Sequence, residues 1–497
     1  MKITGDQRQS GMCRREFLQR TGKATLIGGA FLCPSGVTLA AKSSPVLRPN
    51  VVSGNVLRTQ GSVSLAGSVF IEQQREIPIV GRPEVLVCGG GPAGIAAALS
   101  AARAGAKVQL IELAGCLGGV WTAGLLTKIL DTKNKSGIMK ELLQAFAKEG
   151  SSTAKSSGGT TYDPEVAKLV LEEKLTEAGV VIRYHTRVVG AVTNEDKRLT
   201  AIVTESKSGR EAWTADCFVD CTGDGDLAAQ AGCEFDVGKD ESCTCQPMSM
   251  MALLTGIDLK TYGKYSTPGG RQTLLKLMNS LGLDPSYRAP TLRHLYGGIF
   301  SIMTNHEYGV SAFDANAITQ ATIRSRKEVN ELVKGLRKEG GTFKDIALVA
   351  TAEQIGIREG RRIKGRYHIT RQDIIRGLRH KEAICRATFP IDVHGLSKTE
   401  PAFRHAEKGE RAKPYDIPYP ALVAADVTGL LMAGRNISGD FIAHASYRVT
   451  GNSVPMGEAA GLAAAVSVQR GVLPHELSWQ DINSHAKRAS RENKAQQ

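Results

Sequence analysis

The chain is poor in aromatic residues, which make up 5% of its 497 positions, and in proline, with 18. Its apolar runs are short, and none approaches the roughly 20 residues needed to cross a bilayer core. Scarce proline and the absence of a Gly-X-Y period exclude a collagen-like or low-complexity chain. With 42% apolar and 23% charged residues, disorder through low hydrophobicity is excluded as well. No H-E-x-x-H or paired C-x-x-C suggests a metal, so none is expected. No G-x-S-x-G supports a hydrolase. What is plentiful is glycine, 54 residues, against a usual share of ~7%. Many glycines and few rings suit tight turns and close approach of backbone to a ligand.

Lys and Arg number 63 against 49 Asp and Glu, a formal charge of +14. Such a balance can serve nucleic acid, an anionic membrane or an acidic substrate. The charge is spread widely. Its densest stretches are 326–338, which alternates signs as a solvated helix face does, and 358–366. No basic stripe or motif supports nucleic-acid binding, so no such partner is expected.

Arg14 and Arg15 are followed by Glu16, Phe17 and Leu18, then by an uncharged stretch from Ala24 to Ala41. This resembles a twin-arginine export signal, with small residues for cleavage near Ala40. The resemblance implies passage through the twin-arginine translocase and a periplasmic or otherwise exported protein, soluble after cleavage. Such export generally moves folded chains, often with a cofactor already inserted. An uncleaved anchor or a chance Arg pair is the alternative. Cleavage removes six cations and two anions and leaves +10. The remaining cysteines are scattered, and those in apolar contexts are expected to be buried thiols. Cys243-Thr244-Cys245 reads as a structural or disulfide-bonded pair, with a redox-active pair as the alternative.

Residues 83–113 read as strand, glycine turn, helix, strand. Gly89-Gly90-Gly91-Pro92-Ala93-Gly94 is G-x-G-x-x-G. Gly89 permits the tight turn, Gly91 lets backbone approach a pyrophosphate, and Gly94 allows close helix–strand packing. Pro92 and Ala93 open a helix whose N-terminal N–H groups face the phosphates. Glu112 ends the second strand and is placed for the adenosine ribose hydroxyls. With all these in register, a dinucleotide site on an α/β fold is predicted. Further helices are expected at 137–149, 163–179, 270–281, 315–339, 371–379 and 457–471. Strands, partly a meander, are expected after 179, and one or two more within 42–82.

Three segments resemble flavoproteins of the glutathione-reductase-like superfamily. They are Gly118-Gly119 after the second strand, the Thr222-Gly223-Asp224 turn, and the closing stretch 430–465. Residues 358–370, and 386–395 with Pro390, Asp392 and His394, are similar to segments of the bacterial FAD-dependent oxidoreductase family, itself distantly related to fumarate reductase flavoproteins. The resemblance covers about 83–235 and 345–470 and departs between them. It implies FAD as cofactor. Its binding residues would be Gly89, Gly91, Pro92, Ala93, Gly94 and Glu112, then Gly118, Gly119 and Val188. Thr222, Gly223, Asp224, Gly434, Asn452 and Ser453 would complete the set. The implied fold class is α/β, a Rossmann-like FAD-binding domain (83–234 and 416–471) with an inserted α+β substrate domain (235–415). A signal peptide (1–41), an extension (42–82) and a polar tail (472–497) flank them.

No second G-x-G-x-x-G appears, so a two-dinucleotide reductase is not expected. A flavin dehydrogenase needs a base for the proton that leaves as hydride departs, and histidine suits neutral pH. His444, shortly before the last helix, and His394 are the candidates. Arg448 could bind a carboxylate or stabilise developing negative charge. Arg362 belongs to a cluster with Arg358, Glu359 and Arg361 that could anchor an anion. The plainer readings are packed histidines and a salt-bridge network. The expectation is an exported FAD-dependent dehydrogenase. It would move hydride from a small polar metabolite, a sugar or hydroxy acid, to FAD, with a quinone, cytochrome or oxygen as electron acceptor. The alternatives are a flavin-dependent C=C reductase of fumarate-reductase type and a non-catalytic FAD-binding protein.

Overall fold

The computed structural model describes residues 61–63, 70–72 and 74–485, apart from 152–154, 157–158, 241–243 and 404–408. The twin-arginine stretch and Cys243 lie outside the described residues.

Four short apolar runs, Val85–Cys88, Val108–Ile111, Cys217–Asp220 and Leu430–Met432, are each buried along their whole length. Runs of this kind suit parallel strands covered on both faces. They pair in parallel with Val181–Arg183 into a five-stranded sheet. Val85–Cys88 lies at its centre. The two strands next in sequence stack on one side, and the two later ones on the other. The strand order therefore reverses beside Val85–Cys88, where open α/β sheets bind ligands at the carboxyl ends of their strands.

One face of this sheet is covered by an Ala-rich helix, Pro92–Arg103, and the long closing helix, Thr450–Arg470. Gly457 and Gly461 let the two backbones touch. A Cβ on Gly457 would sit 1.9 Å from Ala93 O, and one on Gly461 would sit 2.0 Å from Ala97 O. A second sheet is the expected meander, Arg187–Thr193, Leu199–Ser206 and Gly209–Thr214, with Ile79–Gly81 added in parallel at its edge. Before residue 82, three short strands are described, Gly61–Val63, Phe70–Glu72 and Ile79–Gly81.

The inserted region forms a four-stranded antiparallel sheet in the order Thr291–Tyr296, Ile299–Met303, Met251–Thr255, Ala347–Thr351. The helix Ala315–Glu339 packs on it through Ala321, Ser325, Val329, Leu332 and Leu336, the three-and-four spacing of an amphipathic helix. The charged remainder of 326–338 faces outward, as its alternating signs predict. This sheet has apolar cores of its own, one around Leu254, Phe300 and Val333, another around Met248, Met250 and Leu295. From Ile363 onward the buried apolar residues join the core of the parallel sheet instead. The inserted unit with its own core is therefore narrower than 235–415. From Ile363 onward the run packs with the closing segment in the core of the parallel sheet.

Candidate active site

At the carboxyl end of the central strand the glycine turn takes the expected shape. Gly89 has φ +101°, and a Cβ there would lie 2.3 Å from Cys221 O. A Cβ on Gly94 would lie 1.8 Å from Gly89 O. Gly91 differs: a Cβ there would meet nothing within 4 Å. Gly91 also caps the helix that starts at Pro92, and no side chain bonds that helix's free N–H groups. An open glycine at an uncapped helix start is a cradle for a phosphate. Gly118, at φ +106°, donates its N–H to Gly90 O at 2.8 Å, and a Cβ on Gly119 would lie 3.1 Å from Gly91 Cα. The two glycine segments thus face each other across the turn.

Glu112 is buried, and its carboxylate accepts from Ala114 N at 2.7 Å and from Gly90 N. Burial pushes its carboxyl up despite those N–H donors. Val188 reaches the same end of the sheet. Its carbonyl accepts from Gln230 Nε2 at 3.4 Å, and nearby Thr186 N donates to Glu112 O at 3.0 Å.

Asp220, at the end of its strand, organises the next turn. Its carboxylate accepts from Thr222 N (2.9 Å), Thr222 Oγ1 (2.7 Å) and Ala228 N (2.8 Å). Full burial still raises its carboxyl to about 6. Arg435 then ties this turn to the closing segment, donating from Nη1 to Gly223 O at 2.6 Å and to Asp224 Oδ1. Gly434, at φ +109°, brings that segment onto Ala93, whose Cβ would be 3.4 Å from one on Gly434.

The closing helix presents the least satisfied polar groups. Asn452 is fully buried, and neither amide atom has a hydrogen-bond partner. Thr450 Oγ1 is in the same state, and Ser453 lies beside them in the first turn. Orphaned buried amides cost about 1–3 kcal/mol each. They sit at a helix start that no side chain caps. An open glycine cradle, a buried acid at the second strand's end and orphaned donors and acceptors at a second helix start fit a dinucleotide.

A further cluster of polar side chains abuts the closing helix. Arg448 caps the short helix Phe441–Tyr447, immediately before the closing helix. Its Nη2 donates to Asp392 O at 2.8 Å and to Gln246 Oε1 at 3.2 Å, and Gln246 Oε1 also accepts from His394 N at 3.1 Å. His394 and His306 are both buried, with ring centroids 4.9 Å apart, and Tyr287 stacks at 4.1 Å from His306. Arg358 Nη1 donates to Ser249 Oγ at 2.9 Å and to Pro247 O. Burial and the Arg358 guanidinium lower His394 to about 4, with Asp392 opposing; burial, Arg358 and His394 push His306 far down.

The candidate residues divide here. His394 and Arg448 meet in this cluster through Gln246. His444 is 1% exposed, hydrogen-bonds the backbone of Arg435, and is held well below the usual histidine range by burial and by Arg362, Arg448 and Arg435. It is buried as a packed histidine is, although its Nδ1, like that of His394, has no protein partner. Arg362 is a correction. Its Nη1 pairs with Glu359 Oε1 at 2.7 Å, Nε donates to Gly439 O at 3.0 Å and Nη2 to Gly238 O at 2.9 Å. With every nitrogen committed to protein and 4% exposure, it braces the inserted region rather than meeting a substrate. His306, Tyr287 and Gln246 had no sequence signal, since they lie in the stretch that matched nothing.

A separate hollow of about 490 Å³, lined by Pro83, Lys107, Val181 and Trp213 among others, opens at the amino ends of the parallel strands. That is the end of the sheet away from the glycine turn.

The architecture and the glycine cradle define a flavin-type dinucleotide-binding oxidoreductase. The chain belongs to the FAD dependent oxidoreductase family, whose model matches residues 84–485. FAD is that family's cofactor and the cofactor of this protein. Among curated proteins no sequence matches. Among solved structures, a geranylgeranyl bacteriochlorophyll reductase-like protein from Thermoplasma acidophilum is similar at 12% identity and a TM-score of 0.43, covering 84% of each chain. The p-nitrophenol 4-monooxygenase PnpA from Pseudomonas putida DLL-E4 is similar at 11% identity and a TM-score of 0.42, over 82% of this chain and 84% of that one. THI4 from Thermovibrio ammonificans shares 22% identity over 32% of this chain and 67% of its own, with a TM-score of 0.27. Among the described residues no helix is long and apolar enough to cross a membrane, and no cluster of three or more metal-ligating side chains occurs.

Proposed function

We propose that this FAD-dependent oxidoreductase is a dehydrogenase of a small polar metabolite, a hydroxy acid or a sugar. The observation that carries the reading is the pair of buried, neutral histidines beside Asp392, next to the helix that closes the cofactor site. FAD, when bound, supplies the two-electron acceptor. The protein's part is to hold the substrate hydroxyl, take its proton and exclude water. His394 is the base in this reading. Its Nδ1 has no protein partner, and Asp392 Oδ2 lies 3.7 Å from Nε2. A carboxylate on that side favours the tautomer that leaves Nδ1 free to accept a proton, and it stabilises the imidazolium that forms. Arg448 orients the Asp392 loop through its backbone carbonyl. The nucleotide is held by the glycines at 89, 91, 94, 118 and 119, by Glu112, and by Asn452 and Ser453.

Electrons leave to a quinone, a cytochrome or oxygen. The resemblance at Arg14 and Arg15 supports export by the twin-arginine route, which suits a carrier outside the nicotinamide pool. The test is anaerobic. The FAD-loaded protein is mixed with a panel of hydroxy acids and sugars while flavin absorbance is followed, and an artificial dye then serves as acceptor. Bleaching by one class, with dye turnover and none from NADH, is the expected result. Flavin that no hydroxy compound bleaches, but that reduced dye and an enoate turn over, would reverse the direction of the reaction.

A further inference from the structure

Arg358 belongs to this cluster and has no ion-pair partner among the described residues. One guanidinium nitrogen is used by Pro247 O and Ser249 Oγ, while Nη2 is spent on a thioether, Met303 Sδ, at 3.6 Å. A thioether is a weak acceptor. Burial first, and Arg448 next, lower this guanidinium to about 10, so it is charged at neutral pH. Arg358 is half-buried and lies beside a second cation, Arg448, with Asp392 as the nearby carboxylate, so a further anion is favoured there. Other polar atoms of the cluster also lack protein partners: Gln246 Nε2, His306 Nε2 and His394 Nδ1.

We propose that Arg358, with Arg448 beside it, binds the carboxylate of the substrate. This rests on the dehydrogenase reading and selects its hydroxy-acid branch. A carboxylate is planar and matches the fork of a guanidinium with two parallel hydrogen bonds. Gln246 Nε2 supplies a further donor. The groups facing His394 are Arg358, Arg448, Asp392, His306 and Tyr287. A bound carboxylate offsets the two guanidiniums, which raises the proton affinity of His394 toward neutrality, where a general base works best. The anion site therefore also arms the base. A sugar without a carboxylate leaves Arg358 without an ion pair and the base weak.

The test uses FAD-loaded protein and two probes that cannot be oxidised at a hydroxyl, malonate and its neutral counterpart malonamide. Binding is read by calorimetry and by perturbation of the flavin spectrum. Malonate should bind at least about tenfold more tightly than malonamide. Arg358→Gln, which retains hydrogen bonding but not charge, should abolish most of that preference while the FAD spectrum stays as in the parent. Equal binding of the two probes overturns the proposal without any variant, and so does an undiminished preference for malonate in Arg358→Gln. Failure of the dehydrogenase reading looks different: malonate binds selectively, yet no hydroxy acid reduces the flavin.

Discussion

The rings of His306 and His394 meet nearly at right angles, at 71°, with centroids 4.9 Å apart. One histidine comes from the inserted sheet and the other from the loop that packs on the closing segment. Their contact makes acid sensitivity a property of the assembled fold. Both are held below the ordinary histidine value of about 6.5, as is His444. In the window from that value down to about 4, the unfolded chain binds protons that the folded chain refuses, so stability falls as pH falls. For His394 alone the shift corresponds to about 3 kcal/mol when complete. Asp220, raised to about 6, acts in the opposite sense over part of that window, since there the folded state holds the extra proton. Other carboxyls that burial raises, Glu112, Glu328, Glu359 and Glu458, act as Asp220 does. The histidine contribution is therefore read as a difference: from pH 7 to pH 4.5 the melting temperature of the flavin-free parent should fall relative to that of His394→Phe, and a constant difference would contradict the burial of His394.

Gly91 and Gly94 should respond in opposite ways to the same change. Gly91→Ala places a methyl where no protein atom lies within 4 Å, so the flavin-free protein should melt as the parent does. Its affinity for FAD should fall by about tenfold or more, equivalent to at least about 1.4 kcal/mol. Gly94→Ala drives a methyl into Gly89 O and should unfold the turn itself. Calorimetric melting with and without FAD separates the two.

Asn452→Leu replaces a buried amide that has no partner with an apolar group of similar size. Without FAD the variant should melt at or above the parent's temperature, because an unsatisfied group costing about 1–3 kcal/mol is removed. With FAD the order should invert. A variant that loses stability in both states would mean that the amide serves the protein alone.

Arg362→Met leaves Glu359 buried without its cation. Breaking such a pair costs about 3–5 kcal/mol, and urea denaturation should show a loss of that order. Glu359→Leu combined with Arg362→Met should recover much of it. A single variant that keeps full stability but loses turnover would restore Arg362 to the chemistry.

The nucleotide half of the site was legible because its rules are local. Gly89, Gly91, Gly94 and Glu112 sit at spacings fixed by one strand, one turn and one helix, and the structure places each where those rules require. The substrate half was not. His306, Tyr287 and Gln246 reach His394 only through the packing of three segments distant in sequence, and periodicity says nothing of such contacts. Arg362 misled for a related reason: an arginine in a charged run looks available, and only the fold reveals the two carbonyls and the carboxylate that occupy it. The limits of the insert were hard to read for the same reason, since strand and helix signals continue past residue 358 while the core they join changes.

The contact of Gly457 and Gly461 with Ala93 and Ala97 joins the first helix of the nucleotide fold to the last long one. During synthesis the phosphate turn emerges early and stands without its partner until nearly all the described chain has followed. In the site proposed above, flavin is held from both sides only after that late helix docks. Yellow colour in a preparation is therefore a certificate of completion: it reports that the far end of the polypeptide has found the near one.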